Sequence, residues 1–145
     1  MKKFFSTTKY RLLLLLIITG STTAIAQKGE PYELNIKGVK VIVQPSDNQI
    51  VEIQTIVKGG VQNYGFDKQG IESLAMNALT ECGTKKDDKN SFKNKLDNVS
   101  AQVYANAGRD YSTISMNCIK SDFNSVWPLY ADAITVPAFN EKEFD

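Results

Sequence analysis

Residues Gly70–Lys86, GIESLAMNALTECGTKK, decide how the rest of the chain is read. Ile71, Leu74, Ala75, Ala78, Leu79 and Cys82 recur at i, i+3, i+4, i+7, i+8 and i+11, the spacing of one apolar stripe on a helix. Gly83 stands where a C′ glycine ends a helix, and Lys85 and Lys86 follow near the negative end of its dipole. The spacing predicts a packing helix over 71–82 with a partly polar outer face.

On both sides of this helix the period changes to two. Tyr32, Leu34 and Ile36 alternate with polar residues, Lys37-Gly38 offers a tight turn, and VKVIVQ follows with the β-branched content of a strand. After the turn cluster Pro45-Ser46-Asp47-Asn48, IVEIQTIV places Val51, Ile53, Thr55 and Val57 on one face and stops at Gly59-Gly60. Three strands in antiparallel succession are expected.

Downstream, a second short helix is expected from about Asp88, with Phe92, Leu96 and Val99 inward. Strands over Ala101–Ala105 and Tyr111–Ile119 follow, the latter setting Ile114, Met116 and Cys118 against Thr113, Ser115 and Asn117. Ser121 opens a third helix carrying Phe123, Val126, Trp127, Tyr130 and Ile134. Pro128 falls inside that pattern at a cost of about 3 kcal/mol in a regular interior, so a kink, or a start closer to Pro128 than to Ser121, is expected. The fold class is α+β, a mostly antiparallel sheet with helices packed on one face.

The 145 residues suffice for one domain, with 42% hydrophobic and 23% charged residues in ordinary globular proportion. Residues 1–26 read separately, as a signal peptide: a basic start, an apolar run from Leu12 to Ile18, and Ala24-Ile25-Ala26 before Gln27. The run is far short of the roughly 20 apolar residues a membrane span needs. The remaining chain, 27–145, is expected in the periplasm or secreted, cleaved after Ala26, with no membrane anchor. Four of the 17 basic residues leave with residues 1–26 and all 16 acidic ones stay, giving 13 − 16 = −3. No basic stripe with interleaved aromatics is present, which argues against nucleic acid. Cys82 and Cys118 lie on a predicted helix end and a predicted strand. A disulfide is open to them in an oxidising compartment, but two buried thiols are the favoured reading.

Five segments in order carry a family resemblance. NIKGVKVIV, GGVQNY, QGIESLAMNALTECGTKK, SAQVYANAGRDY and PAFNEKEFD together resemble the N-terminal domain of the pitrilysin/insulinase family of inverted-zincin metallopeptidases. That family carries H-x-x-E-H on the helix after the Gly-Ile pair, two His for zinc and a Glu as general base. Laid on this helix, the three positions are Ser73, Met76 and Asn77, and the chain has no His at all. Ser73 and Asn77 offer neutral oxygens and Met76 is no base, so neither a zinc site nor catalysis is expected.

The resemblance also implies that the strand around Tyr104, Ala105 and Asn106 is an edge that takes up extended peptide, with Ala105 kept and the family's Asn lost. An ordinary strand edge is the competing reading. The resemblance further implies a non-catalytic subunit paired with an active homologue, with zinc only in that partner and peptides as ligands. A free-standing periplasmic peptide-binding module is the alternative, and an active metallopeptidase with unprecedented ligands the least favoured. Asn140-Glu141-Lys142-Glu143 reads as a capping-box opening, so the domain is expected to continue past Asp145, where the family's third zinc ligand would fall.

Overall fold

The structure, a computed structural model, describes residues 29–141. The signal-peptide reading and the close of the capping box at Glu143 lie outside the described residues. The chain divides into two compact units, one ending at Asp47 and one beginning at Asn48.

The first unit is a hairpin of β1 (Tyr32–Ile36) and β2 (Val39–Val43), with Tyr32 opposite Val43 and Ile36 opposite Val39. Its two-residue loop puts Lys37 at φ 52° and Gly38 at φ 88°, the doubly left-handed turn that matches strand twist. Asn35 Oδ1 holds that turn by accepting from the Gly38 N–H at 3.0 Å.

The second unit contains β3 (Ile50–Lys58), α1 (Ile71–Glu81), α2 (Lys89–Asp97), β4 (Gln102–Ala107), β5 (Tyr111–Ile119) and α3 (Phe123–Thr135). Its sheet is antiparallel in the order β3-β5-β4. The expected succession of three strands is therefore corrected, because β3 takes β5 as its partner from Ile50↔Ile119 to Lys58↔Tyr111. Both strands are nine residues long, so the pairing satisfies β3 along its whole length. The connection from β2 also contains Pro45, which has no N–H to give a ladder.

Alternation sorts this sheet into two faces. Val51, Ile53 and Thr55 of β3, Val103 and Ala105 of β4, and Ile114, Met116 and Cys118 of β5 share the face that meets the helices. Phe92 and Leu96 of α2 and Val126, Tyr130 and Ala133 of α3 complete that core. Tyr130 locks it: its hydroxyl donates to the Ile114 carbonyl at 2.9 Å. Its single proton thus spent, the oxygen accepts from Thr55 Oγ1 at 2.7 Å. Burial pushes the Tyr130 hydroxyl pKa upward. Cys82 and Cys118 are both buried free thiols, and burial with nearby Asp122 raises the Cys118 pKa.

Gly60 explains the stop after β3. At φ 78° it lies under the β4–β5 turn, where an added Cβ would stand 2.2 Å from the Arg109 carbonyl oxygen. The chain then leaves β3 by donating Val61 N–H to Gly108 and Gln62 N–H to Arg109.

Two helices differ from expectation. In α3 the start is Phe123, preceded by a short 3-10 turn over Lys120–Asp122, and the helix runs through Pro128. Pro128 sits on the exposed side with Asn124, whose carbonyl loses its i+4 donor facing water. In α1 the inner stripe is rotated by about one residue. Glu72, Ala78 and Thr80 are buried, whereas Ile71 and Leu74 are 50% and 56% exposed. α2 begins as read, with Asp88 Oδ1 accepting the Ser91 N–H at 2.9 Å.

Candidate functional site

The candidate site is the edge of β4, the terminal strand of its sheet. Its backbone polarity follows from the turn that joins it to β5. Gly108 N–H donates to the Tyr111 carbonyl at 3.0 Å, and these two residues continue the β4–β5 register. Bonded and non-bonded pairs alternate in an antiparallel ladder. Asn106↔Thr113, Tyr104↔Ser115 and Gln102↔Asn117 are then bonded pairs, while Ala107↔Ser112, Ala105↔Ile114 and Val103↔Met116 are not. Val103, Ala105 and Ala107 consequently turn their N–H and C=O away from β5, toward the edge.

This sorts the three residues singled out from sequence. Ala105 has an outward backbone, and its half-buried methyl packs on the core. Tyr104 and Asn106 commit their backbones to β5 and expose their side chains on the face opposite the helices. The residues that join Ala105 are Val103 and Ala107, which the sequence reading missed. The signal was available in the two-residue turn Arg109-Asp110, which fixes the parity of the whole hairpin.

A groove of about 390 Å³ runs beside the first half of β4. Thr80 and Glu81 of α1, Lys93, Leu96 and Asp97 of α2, and residues 101–104 line it. Leu96, Ala101 and Val103 form an apolar floor, each nine-tenths buried or more. Above it Glu81 pairs with Lys93, and Asp97 keeps its carboxylate free of any side-chain partner among the described residues.

The positions equivalent to H-x-x-E-H lie on the first two turns of α1. Ser73 and Asn77 are exposed, and Met76 is half-buried with its side chain packed against the core. Two neutral oxygens and a thioether turned inward do not fit zinc, which takes imidazole, thiolate or carboxylate in tetrahedral array. Among the described residues no group of three or more His, Cys, Asp or Glu is placed to hold a metal ion.

The nearest acid, Glu72, is turned inward from the helix. It is 8% exposed; one carboxylate oxygen accepts from Ser112 Oγ, and the other, Oε2, is buried with no hydrogen-bond partner among the described residues. A carboxylate so placed is a packing and polar-pairing element of the α1–β5 contact.

No family model matches the sequence, and no curated protein matches it. Solved structures do. A protease from Helicobacter pylori superposes with a TM-score of 0.68 at 19% identity, over 79% of this chain and 28% of that one. A peptidase M16 inactive domain from Pseudomonas fluorescens superposes with a TM-score of 0.70 at 18% identity, over the same 79% and 28%. Peptidase M16 is the pitrilysin/insulinase family that the five sequence segments resemble, and the α+β fold read from the sequence periodicity is the fold of these structures. At this identity the likeness is one of fold, and the chain spans about 28% of the length of either structure.

Proposed function

We propose that this chain is a non-catalytic pitrilysin/insulinase-like domain that captures extended peptides by strand addition at the β4 edge, as a subunit of an active zinc-peptidase homologue. The observation that carries the reading is the outward backbone of Val103, Ala105 and Ala107 on a terminal strand beside a groove. The likeness to an inactive M16 domain supports the non-catalytic part.

Three outward residues offer three donors and three acceptors. At about 1 kcal/mol net per hydrogen bond, six bonds give roughly 6 kcal/mol, against about 4 kcal/mol or more lost on association. Backbone pairing alone is therefore a weak hold. Weak, sequence-tolerant capture suits a half-chamber that presents substrate to a metal held elsewhere, and the partner supplies zinc and base through its own H-x-x-E-H. Export with cleavage after Ala26 belongs to the same reading, and mass spectrometry of the exported form should find Gln27 at its N-terminus.

The test is to purify the full-length gene product from native extracts under mild conditions. Co-purification of an H-x-x-E-H homologue is expected, with peptide degradation by the pair well above that of either protein alone. A monomer whose deletion leaves periplasmic peptidase activity untouched would sink the subunit reading and leave a free-standing peptide-binding module.

A further inference from the structure

We infer that the groove beside β4 selects lysine or arginine at the helix-face position of a captured peptide that lies against the first half of β4; this rests on the reading of β4 as a capture edge. A strand added to β4 continues the sheet, so its side chains alternate between the open face and the helix face. Those on the helix face share the side of Val103 and Ala105 and descend between β4 and the two helices, where the groove lies.

The groove's chemistry is that of an amphipathic cation site. Leu96, Ala101 and Val103 supply a floor for an aliphatic stem. Glu81 and Lys93 neutralise each other as an exposed pair, so the net charge of the three rim residues is the single negative charge of Asp97. Among the described residues Asp97 has no side-chain partner to give up when a ligand arrives. An ammonium or guanidinium at the end of an alkyl stem satisfies both features. A purely aliphatic side chain satisfies only the floor, and an acidic one is repelled.

The experiment uses the full chain and capped, fluorescein-labelled octapeptides of alternating Thr and Val. A single Lys is moved one position at a time and compared with norleucine and Glu at the same place, with affinity read by fluorescence anisotropy. Because a slip of two residues brings each helix-face side chain in turn to the groove, Lys is expected to bind about two- to fivefold tighter than norleucine at alternate positions, the size of a solvent-exposed ion pair. The ratio should fall to about one in Asp97→Asn, and in added salt that shortens screening to about 3 Å. Binding with no period-two preference for Lys, or a preference that survives Asp97→Asn, overturns this inference and leaves edge capture standing. Failure of every peptide to bind at millimolar concentration overturns the capture reading itself, and this inference with it.

Discussion

Adjacent residues of β4 should respond oppositely to proline. Asn106 belongs to a bonded pair with Thr113, so Asn106→Pro removes a donor from the ladder and leaves the Thr113 carbonyl unmatched. Its own side chain is exposed, so little packing is lost with it. A forfeited, partly buried bond costs about 1–3 kcal/mol. For a unit of this size each kcal/mol moves Tm by roughly 4–8 °C, so the variant should melt roughly 4 to 24 °C lower. Ala105→Pro removes an N–H that faces outward, the one position class where a strand tolerates proline. Its Tm should fall by less than about 4 °C. Peptide binding should show the reverse order. Ala105→Pro deletes one donor to the added strand, about 0.5–1.5 kcal/mol, or roughly two- to twelvefold in Kd. Thermal unfolding by circular dichroism, paired with anisotropy on one extended peptide, reads both quantities. If Ala105→Pro melts as low as Asn106→Pro, the parity assigned to β4 is wrong and the edge does not present Val103, Ala105 and Ala107.

Other expectations follow from the core. Tyr130→Phe removes the hydroxyl that joins Thr55 to Ile114, and should lower stability by about 1–3 kcal/mol in denaturant titration. Tyr130 and Cys118 both have raised pKa values in the fold, so the unfolded chain releases these protons first. Their contribution is fully present below about pH 9 and fades as pH rises through the folded values, and Tyr130→Phe should flatten the part of that decline above pH 10. Ser112→Ala strips Glu72 of its partner and should cost about 1–3 kcal/mol, much of it recovered in Ser112→Ala/Glu72→Leu, as a double-mutant cycle would show. Both thiols should resist alkylation in the native chain and take up two equivalents after denaturation without reductant; one disulfide's worth of missing label would contradict the free-thiol geometry.

The sequence made most of the second unit legible because its elements are bounded by strong local signals. Tyr111–Ile119 appears with the predicted bounds since its alternation is unbroken and nine residues long. α2 begins after Asp88 because a side-chain cap is a local contact that three residues can specify. Pairing is different in kind. Whether β3 bonds to β2 or to β5 depends on which partner matches its length some sixty residues away, and no window around Ile50–Lys58 contains that information. The rotation of α1 has the same cause. Apolar spacing favours Ile71 and Leu74 inside, whereas the helix turns Glu72 toward Ser112 on β5, forty positions away and beyond any local window.

The site shows where pattern and chemistry separate. Resemblance led to Tyr104, Ala105 and Asn106 as a group, yet a strand has two independent periodic properties: side chains alternate between faces, and backbone polar groups alternate between neighbours. In β4 the two run in phase, so the residues whose side chains look most available, Tyr104 and Asn106, are those with no backbone to offer. The residues whose main chain faces the edge, Val103, Ala105 and Ala107, are small or buried and would draw no notice as ligand contacts. A capture edge of this type leaves no polar signature in sequence, because its donors and acceptors belong to the main chain. Strand addition needs no His or Glu, so the proposed capture does not depend on the side chains at Ser73, Met76 and Asn77. A scaffold can therefore lose its metal chemistry while keeping the geometry that aligns a peptide, and replacement of Tyr104 or Asn106 by Ala should leave capture nearly unchanged when proline at Ala105 does not.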